Sequence, residues 1–134
     1  MTTHHIGHHL ATVESDLMFY EIQGDLSGDE IRQGVDLLGP VVAEHGHCYL
    51  IANLTHMGKL DVDARRQAAH HPHLKRVRGY AGVSTSIVTR TLVTLALRAV
   101  TIFQKSDMRI SFFATEAEAR QWIDRLRSEA TAAT

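Results

Sequence analysis

The order of apolar runs in this 134-residue chain predicts an α/β fold, a mixed five-stranded sheet with helices in the order β-β-α-β-α-β-α-β-α. Three observations carry that prediction. Short runs of strand-forming residues alternate with segments of helical periodicity. Two Ser/Thr-x-x-Glu boxes mark helix starts. The run His47–Leu54 (HCYLIANL) is almost wholly apolar, as a strand buried on both faces requires. Alternating strands and helices imply right-handed crossovers and a mostly parallel sheet, with the first strand antiparallel at one edge.

Taken in order, Leu10–Val13 alternates weakly, and Glu14-Ser15-Asp16 supplies turn chemistry before Leu17–Ile22 (LMFYEI). Together they read as a β-hairpin. Ser27-Gly28-Asp29-Glu30 forms the first capping box, followed by Ile31, Val35, Leu38 and Val42 at helical spacing. Pro40 lies inside that helix and should kink or split it, because it removes a backbone donor. Gly46 ends it, and His47–Leu54 is the central strand. A loop around Gly58 leads to a helix from about Val62 to His71, broken by Pro72. Val77–Val83 is another strand. Ser84–Ser86 caps a long helix, Ile87–Gln104, and Met108–Ala114 is the last strand. Thr115-Glu116-Ala117-Glu118 opens a final amphipathic helix that buries Ala119, Trp122, Ile123 and Leu126. Residues 1–7 and 128–134 are expected to be flexible ends of a single domain spanning 1–134.

Composition narrows the function classes. Fourteen Lys and Arg balance fifteen Asp and Glu, a net charge of -1, which argues against nucleic acid as the partner. One cysteine, Cys48, excludes an internal disulfide and suits a reducing compartment. The N-terminus lacks a signal-peptide pattern, and Ile87–Phe103 reads as too short and too polar to span a bilayer. A cytoplasmic protein of bacterial style is the expectation.

These elements resemble the SpoIIAA-like family, whose fold is shared with STAS domains and related to a lipid-binding fold type. The resemblance rests on Gly24-Asp25-Leu26-Ser27, Tyr49–Leu54, Arg65-Arg66, Ala81-Gly82-Val83-Ser84, Phe112-Phe113 and Glu118–Ile123. It implies a regulatory module that acts through a protein partner, or alternatively a carrier or sensor of a small apolar or anionic ligand. In anti-anti-sigma proteins of this fold, an Asp-Ser-Ser/Thr-Gly stretch follows the central strand, and its first Ser is phosphorylated. The matching stretch here is Asp61-Val62-Asp63-Ala64. Val62 stands at the phosphoacceptor position and cannot be phosphorylated. Asp63 adds a fixed negative charge, while either Asp61 or Asp63 is suited to cap a helix.

No paired-carboxylate, triad or metallohydrolase spacing is evident, so no catalytic residue, cofactor or metal is assigned and enzyme activity is not expected. His4, His5, His8 and His9 form an HHxxHH array with at most weak metal affinity, and His70, His71 and His73 read as solvated residues at a helix end. Cys48 reads as a buried thiol, with His47 on the opposite face. The anion- or ligand-binding candidates are Ser84, Thr85, Ser86 and Arg90 where a strand feeds a helix, and Asn53, Thr55 and His56 near a neighbouring strand end. Their alternative role is helix capping.

The long helix is apolar over more than one face. Val88, Leu92, Leu95, Ala96, Ala99, Ile102 and Phe103 form one continuous stripe, expected against the sheet. Val93, Leu97 and Val100 extend it beyond the width a surface helix needs, and are the interface candidates. That strip needs a cover: another helix of the domain, a second subunit in a symmetric dimer, or an apolar ligand.

Overall fold

A computed structural model describes residues 1–132. It contains a six-stranded sheet, one strand more than expected, in the simple order β1-β2-β3-β4-β5-β6. The extra strand is β1, Thr2–Ile6, which joins β2, His9–Glu14, through the two-residue turn Gly7-His8. Of the N-terminal seven residues, Thr2–Ile6 are therefore built into the sheet and Gly7 into its turn. Thr2, Thr3 and Ile6 are strand formers, Gly7 adopts φ 59° in the turn, and Ile6 is buried in the core. The polar histidines between them hid this pattern. At the other end the last helix runs on to Ala132, so the expected fraying from Ser128 is not seen over 128–132; residues 133 and 134 lie outside the described residues.

β2 pairs antiparallel with β3, Leu17–Leu26, through a Ser15-Asp16 turn in which Ser15 takes φ 56°. Helix α1, Gly28–Asp36, begins at a complete capping box: the Glu30 N–H donates to Ser27 Oγ at 3.2 Å, and the Ser27 N–H donates to Glu30 Oε1 at 3.0 Å. Pro40 splits the predicted helix. α1 stops at Asp36, and α2, Leu38–His45, restarts with Pro40 in its first turn, where a missing N–H costs nothing. Gly46 then ends α2 at φ 78°.

β4, Cys48–Leu60, is the central strand and is buried through most of Cys48–Leu54. It runs six residues past the expected end and takes in Gly58, which was expected in a loop. A side chain at Gly58 would collide with the Asp25 carboxylate, whose Oδ1 accepts the Lys59 N–H at 2.7 Å. Glycine is what lets the strand continue there beside β3. α3, Val62–His70, ends before a 3₁₀ turn at Pro72–Arg76. β5, Val77–Val83, α4, Ile87–Gln104, β6, Arg109–Phe113, and α5, Glu116–Ala132, complete the chain.

β3, β4, β5 and β6 are all mutually parallel neighbours. Successive crossovers of one hand put α1 to α4 on one sheet face, over a core that includes Met18, Leu50, Leu54, Val93, Leu97 and Val100. α5 alone covers the other face, where Ala119, Ile123 and Leu126 pack on Tyr49, Ile51 and Ala81. One face is thus screened by a full helical layer and the other by a single helix.

Candidate functional site

The long helix α4 does not lie on the sheet in the expected orientation. Val93, Leu97 and Val100, the interface candidates, are buried against the sheet, with Leu97 only 7% exposed. They are core residues and form no interface. Most of the stripe expected to face the sheet is turned outward: Val88, Leu95, Ile102 and Phe103 are exposed, together with Ile87. Of that stripe, Ala96 is buried and Leu92 half-buried. By length and composition α4 also passes as long enough to cross a bilayer, contrary to the sequence reading. Its place as the crossover between the paired strands β5 and β6, with Val93, Leu97 and Val100 on the sheet, is that of a domain helix.

The outward stripe continues onto α3. Val62, Arg65 and Arg66 of α3 and Leu92, Leu95 and Ala99 of α4 line a shallow groove between the two helices. Val62 is 60% exposed. The ring of His70 meets that of Phe103 edge-on at 4.2 Å and closes the far end of the helix pair. Beneath the groove lies a cavity of about 80 Å³ with apolar walls that include Met18, Ile22, Leu54, Val93 and Leu97.

Charge is partitioned along the chain. The first 63 residues hold ten Asp and Glu against two Lys and Arg, whereas residues 64–106 hold eight Lys and Arg and no carboxylate. Because strand order follows chain order, most of the acidic part lies with β2, β3 and α1 and the basic part with α3, β5 and α4, while Asp61 and Asp63 stand exposed at the start of α3 beside Val62. The net charge of -1 conceals a basic flank around the apolar groove.

The switch stretch is a helix start. Asp61 caps α3, its Oδ1 accepting the Ala64 N–H at 2.7 Å. The Asp63 carboxylate lies against Gly28, in the first turn of α1, where no larger residue would fit; a negative charge there complements the dipole. Val62 projects from the first turn of α3 into the groove.

The candidate polar residues at the strand ends are engaged with one another. Ser84 is buried; its Oγ accepts the Ser86 N–H at 3.1 Å and its carbonyl accepts Arg90 Nε at 2.6 Å. Ser86 caps α4, its Oγ accepting the Thr89 N–H at 3.2 Å, and Thr85 is exposed. Asn53 Oδ1 accepts the Thr55 N–H at 3.1 Å. Asn53 does lie beside Val83 of β5, but Thr55 and His56 continue along the extended β4, where His56 pairs with Gln23. The two groups do not converge on one point.

The histidines were less legible. His9 is 1% exposed, separated from the exposed His5 and His8 by the hairpin. Its Nδ1 accepts the Gln23 N–H at 2.9 Å, and its Nε2 lies 3.3 Å from Glu30 Oε1. Burial tends to raise the Glu30 carboxyl, but the Ser27 and His9 bonds outweigh it and hold the group below its ordinary range. His71 is buried, not solvated as expected, and its Nε2 lies 2.7 Å from Asp36 Oδ1. Asp36, His71 and His73 bring ligand atoms within 4.8 Å of one another. However, His71 Nδ1 accepts the His73 N–H at 3.3 Å, which puts the ring proton on Nε2, facing Asp36. The cluster is arranged as a hydrogen-bonded tie between α1 and the 3₁₀ turn. Cys48 is buried, and its thiol is pushed up to about 12 by burial and then by the Asp16 charge, which leaves no thiolate at neutral pH.

A sequence model of a family described as SpoIIAA-like matches residues 17–124. An uncharacterized DUF3478-family protein with a SpoIIAA-like fold, from Shewanella loihica PV-4, superposes with a TM-score of 0.61 at 16% identity. The match covers 84% of this chain and 89% of that one, and at such identity it is a likeness of fold. No curated protein matches.

Proposed function

The chain belongs to the SpoIIAA-like family, and from that premise we propose that it is a non-enzymatic regulatory module of the STAS type that docks a protein partner on the exposed face of α3 and α4. The observation that carries this reading is the continuity of Val62 with the outward stripe of α4. The position where the family's switch serine is expected holds an exposed apolar side chain that enlarges the docking face. Docking would then be constitutive, with no phosphate to add or remove at that residue.

The chemistry of the face also selects the partner. Ile87, Val88, Leu95, Ile102 and Phe103 offer apolar anchors, and Arg65, Arg66 and Arg98 border them. α4 carries no carboxylate. An antiparallel pair of α4 helices from two copies would bring arginine toward arginine, so a symmetric dimer is disfavoured. A partner segment with apolar anchors and an acidic rim complements the face. The alternative, a carrier of a small apolar ligand, draws on the 80 Å³ cavity. That volume is below the roughly 300 Å³ at which ligand pockets begin, so a carrier would have to open α4 away from the sheet.

The test is a photo-crosslinking residue placed at Leu95 in the producing cell, with a control at Arg125 on α5. One protein adduct from position 95, absent from 125 and lost in an Ile102→Glu background, supports the reading. An adduct of twice the protein's own mass, an adduct only to lipid, or equal labelling from both positions would refute it.

A further inference from the structure

A second concave surface lies at the opposite, N-terminal ends of β4, β5 and β6. It is an open cleft of about 660 Å³ between α5 and the segment that joins α4 to β6. Five cations line it: Lys75 and Arg76 from the 3₁₀ turn, Arg78 from β5, Lys105 at the end of α4, and Arg109 at the start of β6. Two carboxylates, Asp107 and Glu129, also border it.

Among the described residues only three of the fourteen Lys and Arg are held by a carboxylate, and none of the three lies in this cleft. Arg32 is paired with Asp29 and Asp36, Arg120 with Glu14 and Glu116, and Arg127 with Asp16 and Asp124. Among the described residues, none of the five cleft cations makes an ion pair, although Asp107 and Glu129 border the same surface. Helix dipoles explain part of the cluster, since Lys105 ends α4 and Lys75 and Arg76 end the 3₁₀ turn. They do not explain Arg78 and Arg109, which sit on strands.

Arg78 has a specific local cause. Cys48 pairs with Val77 while Tyr49 pairs with Gly79, so Arg78 is the extra residue of a bulge in a parallel ladder. Bulges are rare in parallel pairs and re-aim a side chain. Here the bulge leaves Arg78 exposed at the cleft, immediately before the buried run Gly79–Val83.

We propose that this cleft binds a small, multiply charged phosphoryl anion. Cations gathered from four separate elements repel one another unless an anion is bound among them, and a concave surface concentrates their field. Three of the five are arginines, whose guanidinium forks match two phosphoryl oxygens at once. The site is distinct from the α3–α4 groove and does not depend on it.

Inorganic triphosphate is the probe, titrated calorimetrically into the full chain at low salt. Saturable one-to-one binding is expected, weakening as salt is raised. The double variant Arg78→Gln/Arg109→Gln should lose about tenfold in affinity or more, with an unchanged melting curve. If that variant fails to fold, Lys75→Gln/Lys105→Gln, on two exposed turns, provides the same comparison. Arg65→Gln/Arg66→Gln, at the other groove, should bind as the parent does. Absence of saturable binding, or equal loss in the Arg65/Arg66 variant, overturns the proposal. Citrate binding as tightly as triphosphate overturns its phosphoryl assignment. Binding to vesicles bearing a bisphosphorylated inositol headgroup, with none to soluble triphosphate, overturns the assignment to a soluble ligand.

Discussion

Truncating Leu97 and Leu95 separately tests the orientation of α4, on which the docking face depends. Both are leucines two residues apart on one helix, so helix propensity changes equally in Leu97→Ala and Leu95→Ala. Leu97 is 7% exposed and packs in the sheet-facing core, whereas Leu95 is 60% exposed. Removing three carbon groups from a buried site costs about 2.4 kcal/mol at roughly 0.8 kcal/mol each, and the void left behind adds to it. Leu97 already borders a cavity of about 80 Å³. Enlarging that cavity leaves its far wall without contacts, so the total should reach about 3 kcal/mol. The same deletion at Leu95 removes little buried area and should cost less than about 1 kcal/mol. In urea, with a slope of about 2 kcal/mol per molar, the two midpoints should differ by roughly 1 M or more. Equal midpoints, or a larger loss at Leu95, would mean that the outward stripe is covered in solution and that the face between α3 and α4 is not free.

Three further outcomes are expected from other parts of the fold. Burial raises the Asp16 carboxyl, but bonds from Arg127 and His47 outweigh it, so the group sits below its ordinary range. A depressed folded pKa stabilises above the unfolded value, about 3.9, and that stability is lost as pH falls through the folded one. Asp16→Asn should therefore cost about 1 to 2 kcal/mol at pH 7, and melting curves of the two proteins should converge below about pH 4; a gap that persists in acid would show that the pair does not act through charge. Ser27→Ala removes the oxygen that accepts the Glu30 N–H and should lower stability by about 1 kcal/mol in chemical denaturation, against no change if the box is incidental. Cys48 should ignore a chromogenic disulfide reagent at about pH 8 in the native protein and react at once in denaturant; fast native labelling would place β4 at the surface.

The sequence was most legible where local chemistry and tertiary demand agree. β5 and α4 fall on their predicted boundaries, Val77–Val83 and Ile87–Gln104, because Pro72 blocks a longer α3 and Ser86 caps the start of α4. The facing of α4 was not legible, for a physical reason. A helix apolar on most sides leaves only a narrow polar strip to mark solvent, and within it Arg90 turns back to the Ser84 carbonyl. The choice of stripe is made by α3 and the sheet, which a helical wheel does not contain. His71 and His9 were illegible for a related reason. Their partners, Asp36 and Glu30, lie 35 and 21 positions away, and no local pattern announces them. β1 was hidden because its strand formers, Thr2, Thr3 and Ile6, are interrupted by His4 and His5, and the turn runs straight into His9.

The simple strand order has a consequence for function. In a sheet whose strands are shuffled, a charge gradient along the chain is scattered across the surface. Here neighbours in sequence are neighbours in space, so the carboxylates before residue 64, Asp61 and Asp63 at the start of α3 excepted, and the eight cations over 64–106 become two flanks of one molecule. Crossovers of one hand then stack α1 to α4 on one face, leaving α3 and α4 toward its basic side. The apolar stripe on α4 is thereby bordered by cations and held apart from the protein's own acidic α1, which would otherwise be its nearest complementary surface. An acidic, apolar segment from elsewhere would meet the basic stretch of α3 and α4, with Asp61 and Asp63 confined to the start of α3. The same separation leaves the cleft at the foot of β5 and β6 with three more cations than carboxylates. Reversing the sign of Arg65 and Arg66 should therefore weaken docking at α4 and leave the cleft unaffected, because the two surfaces draw on different ends of the same basic flank.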